Sequence, residues 1–117
     1  MRRIIPQLFK FYNPEFVVYQ AGVDGHHSDL LGNLILSLDG LYERDRIIRN
    51  LTKNIPVAVI RGGGYNDNYA PKANINTLAA FADLPIIYSH KKKVTEPKRS
   101  RRFADKKISE LMKLLGM

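Results

Sequence analysis

Cysteine is absent from the 117 residues of the chain. Its absence excludes a disulfide framework, a thiolate nucleophile and any zinc site built on sulfur. Long apolar runs are missing as well, because polar residues interrupt the hydrophobic 44% of the sequence well before the ~18 residues of a membrane span. The basic start, Met1 to Pro6, also lacks the apolar segment of a secretory signal. We therefore expect a cytoplasmic protein of one domain or less, without a membrane partner.

Acidic residues are scarce only toward the C-terminus. The formal net charge is +8. Residues 1–90 contain nine Lys/Arg and eight Asp/Glu, whereas residues 91–117 contain ten Lys/Arg and three Asp/Glu. Seven of these basic residues lie within residues 91–102, around Pro97, which is typical of a solvated linker. Such a cluster can also bind a phosphate backbone or serve as a nuclear-targeting patch. Because no recognition helix or stacking aromatics accompany it, a nucleic-acid partner is not expected.

Apolar patterning predicts alternating helices and strands. Residues 16–19 and 56–60 are continuous apolar runs rich in β-branched residues, as expected for strands covered on both faces in a parallel sheet. Ser37 is the predicted N-cap of the helix between them. Residues 85–88 fit either a third strand or a surface segment. The predicted helices span residues 2–12, 37–53, 71–83 and 103–117.

The order strand, helix, strand, helix indicates an α/β fold with a parallel sheet and a right-handed crossover. Two or three strands cannot cover both faces and both edges of their own sheet, so this chain is predicted to be the last part of a larger α/β domain. The expected organisation is a partial domain at residues 1–90, a basic linker at 91–102 and an amphipathic C-terminal helix at 103–117.

Two polar, glycine-rich loops follow the predicted strands. Residues 22–29 include Asp24, and residues 62–67 contain three glycines followed by Tyr65. Ligands of open parallel sheets bind beyond the carboxyl ends of the strands. If the two strands are neighbours, Asp24 and Tyr65 should face one pocket, where a carboxylate and a phenol suit a metal ion and a hydrogen-bond donor. A phosphate-binding loop is a poorer interpretation, because no Lys-Ser/Thr pair follows the glycines.

Five short motifs occur in a fixed order along the chain: YQAGVD at 19–24, DLLG at 29–32, LSLDGL at 36–41, RDR at 44–46 and GGGY at 62–65. Together they resemble the C-terminal third of the histone deacetylase family, zinc-dependent deacetylases that include bacterial acetoin-utilisation-type and polyamine-deacetylating relatives. The resemblance covers residues 14–82. It implies the C-terminal βαβα portion of a parallel-sheet arginase/deacetylase-like fold.

The resemblance also implies roles for particular residues. Asp24 matches a zinc ligand of the family, and Tyr65 matches the tyrosine that donates a hydrogen bond to the polarised carbonyl and its tetrahedral intermediate. Gly63 and Gly64 would bring the backbone close to the substrate. Zinc would polarise the amide carbonyl and lower the pKa of a bound water. The implied substrates are acetylated amines such as acetyl-lysine or an acetylpolyamine.

Two family motifs do not precede Asp24 in this sequence: a P-G-H-H pair that supplies the general base, and a D-x-H segment with two zinc ligands. Catalytic zinc needs three protein ligands, and the resemblance assigns one here. We therefore expect this chain alone to be inactive and a doubtful zinc binder. It would be either a fragment that needs a complementing N-terminal chain or a catalytically dead remnant, retained as an interaction piece.

Other polar residues near these motifs have structural interpretations. Asp24-Gly25-His26 formally matches D-x-H, but His26 and His27 are expected to be loop or rim residues rather than metal ligands. The Arg-Asp-Arg sequence at residues 44–46 is expected to form ion pairs on a helix surface or with a loop, each worth ~0–1 kcal/mol if exposed. Tyr69 is expected to be a packed loop aromatic.

Overall fold

The computed structural model describes residues 1–91 and 97–117. Within these residues the chain forms four helices and two strands, whose contacts divide it into two compact units, Met1–Asn13 with Lys93–Met117 and Pro14–Lys92. The elements are α1 (Ile5–Tyr12), β1 (Val17–Gln20), α2 (Leu38–Leu51), β2 (Val57–Ile60), α3 (Ala70–Phe81) and α4 (Lys98–Leu114).

The second unit is a small α/β structure. β1 and β2 pair in parallel, with Val17 opposite Val57 and Gln20 opposite Ile60. Helix α2 connects the two strands along the chain, and α3 follows β2 and packs against α2. The predicted α/β class with parallel strands is therefore confirmed. Residues 85–88 form no strand and are a surface segment.

Helix α2 begins where the sequence predicts. The Ser37 hydroxyl accepts a hydrogen bond from the Gly40 N–H at 3.1 Å, which satisfies one of the free N–H groups of the first turn. The helix ends at Leu51, two residues before the predicted end, because Thr52 leaves the helical conformation and its hydroxyl donates to the Ile48 carbonyl. Its inner face carries the apolar residues Leu38, Leu41 and Ile48.

The hydrophobic core lies between α2, α3 and the loop after β1, and it excludes the strands. Its members are Val23, Leu38, Leu41, Tyr69, Ala70 and Ala73. The prediction that both strands are covered on both faces is wrong for this chain: Val18 is 63% exposed and Ile60 is 48% exposed. In the described part of the chain, two strands pack against too few helices to cover a second face.

The surface segment at residues 85–91 is held by a buried side chain rather than by a neighbouring strand. The Asn76 carboxamide oxygen accepts hydrogen bonds from the N–H groups of Ile87 and Tyr88, and its Nδ2 donates to the Tyr88 carbonyl at 2.8 Å. Asn76 is fully buried in α3. Its amide thus provides the pairing that a strand backbone would otherwise provide.

The first unit contains α1 and α4. Helix α1 ends at Tyr12 as predicted, because Asn13 adopts the left-handed conformation (φ 44°) that commonly terminates a helix. Helix α4 begins at Lys98 rather than at residue 103, directly after Pro97, which has an extended conformation (φ −60°, ψ 134°). The basic residues from 98 to 102 are therefore helical. Residues 92–96 of the predicted linker lie outside the described residues.

None of the helices in the described residues is both long enough and apolar enough to cross a membrane.

A buried carboxylate connects α2 to its neighbours. Asp45 is fully buried, its Oδ1 accepts from the Tyr19 hydroxyl at 2.6 Å, and its Oδ2 accepts from the Thr77 hydroxyl at 2.6 Å. Arg44 forms an ion pair with the same carboxylate at 2.9 Å and donates to the Gly22 carbonyl. Burial and the adjacent Asp45 carboxylate raise the pKa of the Tyr19 phenol.

The expectation that residues 44–46 form ion pairs on a helix surface or with a loop is thus only partly correct. Arg46 does form an exposed pair with Asp83. Asp45 instead lies in the interior, where it joins β1, α2 and α3, because its position on the helix faces inward one turn after Leu41. Through Arg44 the same carboxylate also orients the loop that follows β1.

Replacement of Asp45 by Asn should therefore destabilise the fold strongly. The amide has no charge to pair with Arg44. Its NH2 group would also face the hydroxyl of Tyr19 or of Thr77, each of which now donates to the carboxylate. We expect a loss of about 2–4 kcal/mol in the free energy of unfolding, measured by urea denaturation. Asp83→Asn is the matched control: it removes exposed ion pairs and keeps a residue type that tolerates the left-handed conformation at φ 57°. Equal losses in the two variants would contradict the interpretation.

Candidate functional site

The loops that follow β1 and β2 lie side by side. The Ala21 N–H donates to the Ile60 carbonyl at 2.9 Å, and the Val23 N–H donates to the Gly63 carbonyl at 2.7 Å. The parallel pairing of the strands thus continues into the loops. As a result, both predicted functional segments lie at the same end of the sheet.

Gly63 lies between the Asp24 carboxylate and the Tyr65 ring. A Cβ atom at Gly63 would overlap Asp24 Oδ2, and it would lie 2.8 Å from Asp24 Cγ and 2.9 Å from Tyr65 Cε2. A side chain at Gly63 would therefore displace the Asp24 carboxylate or the Tyr65 ring from its present position. Asp24 is half-buried and Tyr65 is 49% exposed. The structure therefore brings the carboxylate and the aromatic ring to one point, whereas their roles in zinc binding and catalysis stay predictions.

Gly64 makes a different close contact. A Cβ atom at this position would lie 2.6 Å from Val23 Cγ2 and 3.3 Å from the Ala70 Cβ, both of which belong to the core. Gly64 thus allows the second loop to approach the core closely. A contact of Gly63 or Gly64 with substrate stays a prediction.

Asp29 is the main polar connection between the two loops. Its Oδ1 accepts from the N–H groups of Leu31 and Gly32 at 2.8 and 2.6 Å, which confirms a structural turn at this motif. Its Oδ2 accepts from the Tyr65 N–H at 2.9 Å and from the Tyr69 hydroxyl. The sequence predicts the turn but not the link to Tyr65, since the two residues are 36 positions apart.

The hydrogen bonds of Asp29 also change its acidity. Burial raises the pKa of its carboxyl, but the bonds from the Tyr69 hydroxyl and from three backbone N–H groups outweigh that effect and hold the pKa well below its usual range. Burial and the Asp29 carboxylate raise the pKa of the Tyr69 phenol in turn. Tyr69 is therefore a neutral donor that keeps Asp29 charged.

Close packing at Gly32 completes the turn. A Cβ atom at Gly32 would overlap the Asp24 carbonyl group, so any larger residue would displace the backbone of the proposed ligand. The glycine of the DLLG motif is thus required by a close approach of two backbone segments.

The two consecutive histidines are more enclosed than a loop or rim position suggests. His26 is buried, and its ring stacks on Tyr69 with a centroid distance of 4.1 Å and an interplanar angle of 13°. His27 is half-buried, and its ring centroid lies 4.2 Å from that of His26. One ring nitrogen from each of these residues and one from His90 lie within 4.8 Å of one another. The sequence contains no signal that links His90 to this pair.

A cavity of about 520 Å³ adjoins the histidines, and neither Asp24 nor Tyr65 lines it. Its lining comprises His26, His27, Leu38, Asn68, Tyr69, Lys72, Ile87, Tyr88, Ser89 and His90. The histidine cluster and the pair formed by Asp24 and Tyr65 are therefore two separate features of the loop region.

The donor set around Asp24 is incomplete for catalytic zinc. An aspartate oxygen is an ordinary zinc ligand, but three protein ligands are needed. In residues 1–91 and 97–117, Asp24 does not belong to any group of three side chains that could hold a metal. The described residues therefore supply one member of such a site, and no reaction step through zinc follows from them.

Comparison with known proteins identifies the class. The model of the histone deacetylase domain matches residues 1–81, which is more than half of the chain. The chain therefore belongs to the histone deacetylase family, as its motif order indicates.

The chain is similar to parts of longer relatives. It is 41% identical over 66 residues to an uncharacterized protein from Picosynechococcus sp. The matched region covers 55% of this chain and 22% of that protein. It is 39% identical over 64 residues to Histone deacetylase 6 from Arabidopsis thaliana, covering 55% of this chain and 13% of the relative. It is 41% identical over 56 residues to Histone deacetylase 2 from the same plant, covering 46% of this chain and 14% of the relative. The chain thus spans less than a quarter of each relative.

Asp29 should titrate below the ordinary aspartate range. Because its pKa is lowered on folding, its contribution to stability is fully present above the ordinary pKa of ~3.9 and is lost as the pH falls below that value. A carboxyl 13C chemical-shift titration measures this directly. A midpoint at or above the ordinary value would contradict the hydrogen-bond pattern.

Asp29→Asn should release the second loop. The amide would present an NH2 group to donors, so the Tyr65 N–H should lose its acceptor and exchange with solvent several-fold faster in a hydrogen-exchange measurement. Asp67→Asn is the control, because Asp67 is exposed in the same loop. Unchanged exchange at Tyr65 in the Asp29 variant would show that Asp29 does not hold this loop.

Proposed function

We propose that this chain provides the C-terminal part of a zinc-dependent deacetylase site for acetylated amines, such as acetyl-lysine or an acetylpolyamine. The observation that supports the proposal most directly is the convergence of Asp24 and Tyr65 on Gly63 in a member of the histone deacetylase family. The complete domain would have the arginase/deacetylase-like fold, and a cytoplasmic location fits its composition.

Each of the two residues would have one task. Asp24 would supply one oxygen ligand to the metal, and the half-exposed phenol of Tyr65 would donate a hydrogen bond to the substrate carbonyl oxygen. Bound zinc supplies Lewis-acid chemistry at that carbonyl and an activated water. Asp29 would position Tyr65, because it accepts the backbone N–H of that residue.

The remaining parts of the site would come from a complementing N-terminal segment on another chain. The exposed apolar residues of the sheet support this partner: Val18 is 63% exposed and Ile60 is 48% exposed. Exposed apolar strand residues beside unpaired strand edges are the kind of surface on which further strands and helices pack. The partner would carry the P-G-H-H and D-x-H motifs.

A catalytically dead remnant that acts only as an interaction piece is the second candidate. The incomplete donor set around Asp24 is as consistent with such a remnant as it is with one part of a larger site. The two candidates differ in one measurable property, which is whether any complementing segment restores turnover.

The 117-residue chain assayed alone on an acetyl-lysine peptide and on an acetylpolyamine should show no turnover. Mixing it with the N-terminal part of a family relative that carries the missing motifs should produce activity. Turnover by the chain alone would overturn the assignment of an incomplete site. Failure of every complementing segment to bind and activate it would favour the remnant.

In an active complemented complex, Tyr65→Phe should lower kcat by roughly 100-fold or more, because the donor to the developing oxyanion is lost. Zinc content should stay unchanged, since the phenol is not a proposed ligand. Tyr12→Phe, at a residue that is 64% exposed in α1, is the matched control and should have full activity. Full activity of the Tyr65 variant would remove this residue from the mechanism.

A further inference from the structure

We propose that His26, His27 and His90 form a binding site for a borderline transition-metal ion, with Zn²⁺ as its occupant, separate from the position of Asp24. Each histidine offers one ring nitrogen, and the three nitrogens lie within 4.8 Å of one another. Around a tetrahedral zinc ion with bonds of about 2.0–2.1 Å, ligand nitrogens are roughly 3.4 Å apart. Closure by up to about 1.4 Å is within the reach of a side-chain rotation at the exposed His90.

The backbone around the first two histidines is well defined. The His27 N–H donates to the Leu36 carbonyl at 2.8 Å, and the Leu36 N–H donates to the Gly25 carbonyl at 3.0 Å. The stacking of the His26 ring on Tyr69 fixes its plane. The His26 ring and the backbone of His27 are therefore positioned before any metal binds.

The third histidine is brought to the pair by contacts of its own backbone. The His90 N–H donates to Asp39 Oδ2 at 2.6 Å, and the Ser89 hydroxyl donates to the same carboxylate at 2.9 Å. Asn76 holds the preceding residues, as described above. The His90 ring centroid lies 5.5 Å from that of His27. Residues that are distant in sequence thus converge because helix α2 and helix α3 both hold this segment.

Ser28 faces one ring nitrogen of His26. Its Oγ lies 2.9 Å from Nδ1, and its backbone N–H donates to the same nitrogen at 3.3 Å. Metal binding through Nε2 would select the tautomer in which Nδ1–H donates to Ser28 Oγ, at the expense of the longer bond from the Ser28 N–H. Histidine ligands usually have such a hydrogen-bond partner on their other nitrogen, and it raises the basicity of the ligand.

The surroundings of the cluster select the class of ion. Three imidazoles suit Zn²⁺, Ni²⁺ or Cu²⁺, whereas Mg²⁺ and Ca²⁺ prefer oxygen ligands. The lining of the adjoining cavity contains no aspartate or glutamate among the described residues, and it includes Lys72. The positive charge of Lys72 opposes a cation, so bonds to the imidazole nitrogens, rather than charge attraction within the cavity, must provide the affinity.

The test is a zinc titration of the purified 117-residue chain in competition with a chromophoric chelator. We expect one Zn²⁺ per chain, and an excess of Mg²⁺ should not displace it. His90→Ala and His27→Ala should each lower the zinc affinity by roughly 100-fold or more, because loss of a ligand costs at least as much as loss of its hydrogen-bond partner. Circular dichroism checks that both variants are folded.

Two control variants separate this site from the proposed deacetylase site. Lys91→Ala changes an exposed neighbour of His90, and Asp24→Asn removes the proposed family ligand; both should bind zinc like the unchanged chain. The three-histidine site is overturned if the unchanged chain binds no zinc, if folded His27 and His90 variants bind it normally, or if Asp24→Asn alone abolishes binding. The last result would still support the role of Asp24 in the proposed function.

Discussion

The buried carboxylate of Asp45 is the interaction on which the packing of α2 and α3 and the course of the first loop depend. It joins β1 through Tyr19 and α3 through Thr77, and it pairs with Arg44, whose guanidinium also binds the Gly22 carbonyl. A charge in the interior is tolerated only when its partners are all in place. The packing of α2 and α3 and the course of the first loop are therefore coupled through one group.

Close backbone approach then brings the candidate residues together. The absence of a side chain at Gly63 allows the second loop to approach the Asp24 carboxylate, and the absence of one at Gly32 allows the first loop to fold back onto the Asp24 backbone. Asp29 adds a charged acceptor for the Tyr65 N–H, and its hydrogen bonds hold its pKa below the usual range. The geometry of the family motifs is thus explained by sterics and hydrogen bonding within this chain, independently of any metal.

The same structure shows which parts of a family domain these residues contain and which they do not. The sheet has two strands with exposed apolar residues, and the donor set around Asp24 has one member in the described residues. The chain spans less than a quarter of the relatives to which it is similar. We accordingly propose that these residues provide one part of a deacetylase site, and complementation with the missing part tests this proposal.

The sequence by itself determined the local features: the order of helices and strands, the cap at Ser37, the turn at Asp29 and the motif order that indicates the family. These depend on neighbouring residues or on short spacings. The tertiary structure alone decided the burial of Asp45, the exposure of the strands and the approach of His90 to His26. Such contacts join residues that are far apart in the chain, and no local pattern encodes them, because each arises only when separate elements pack together.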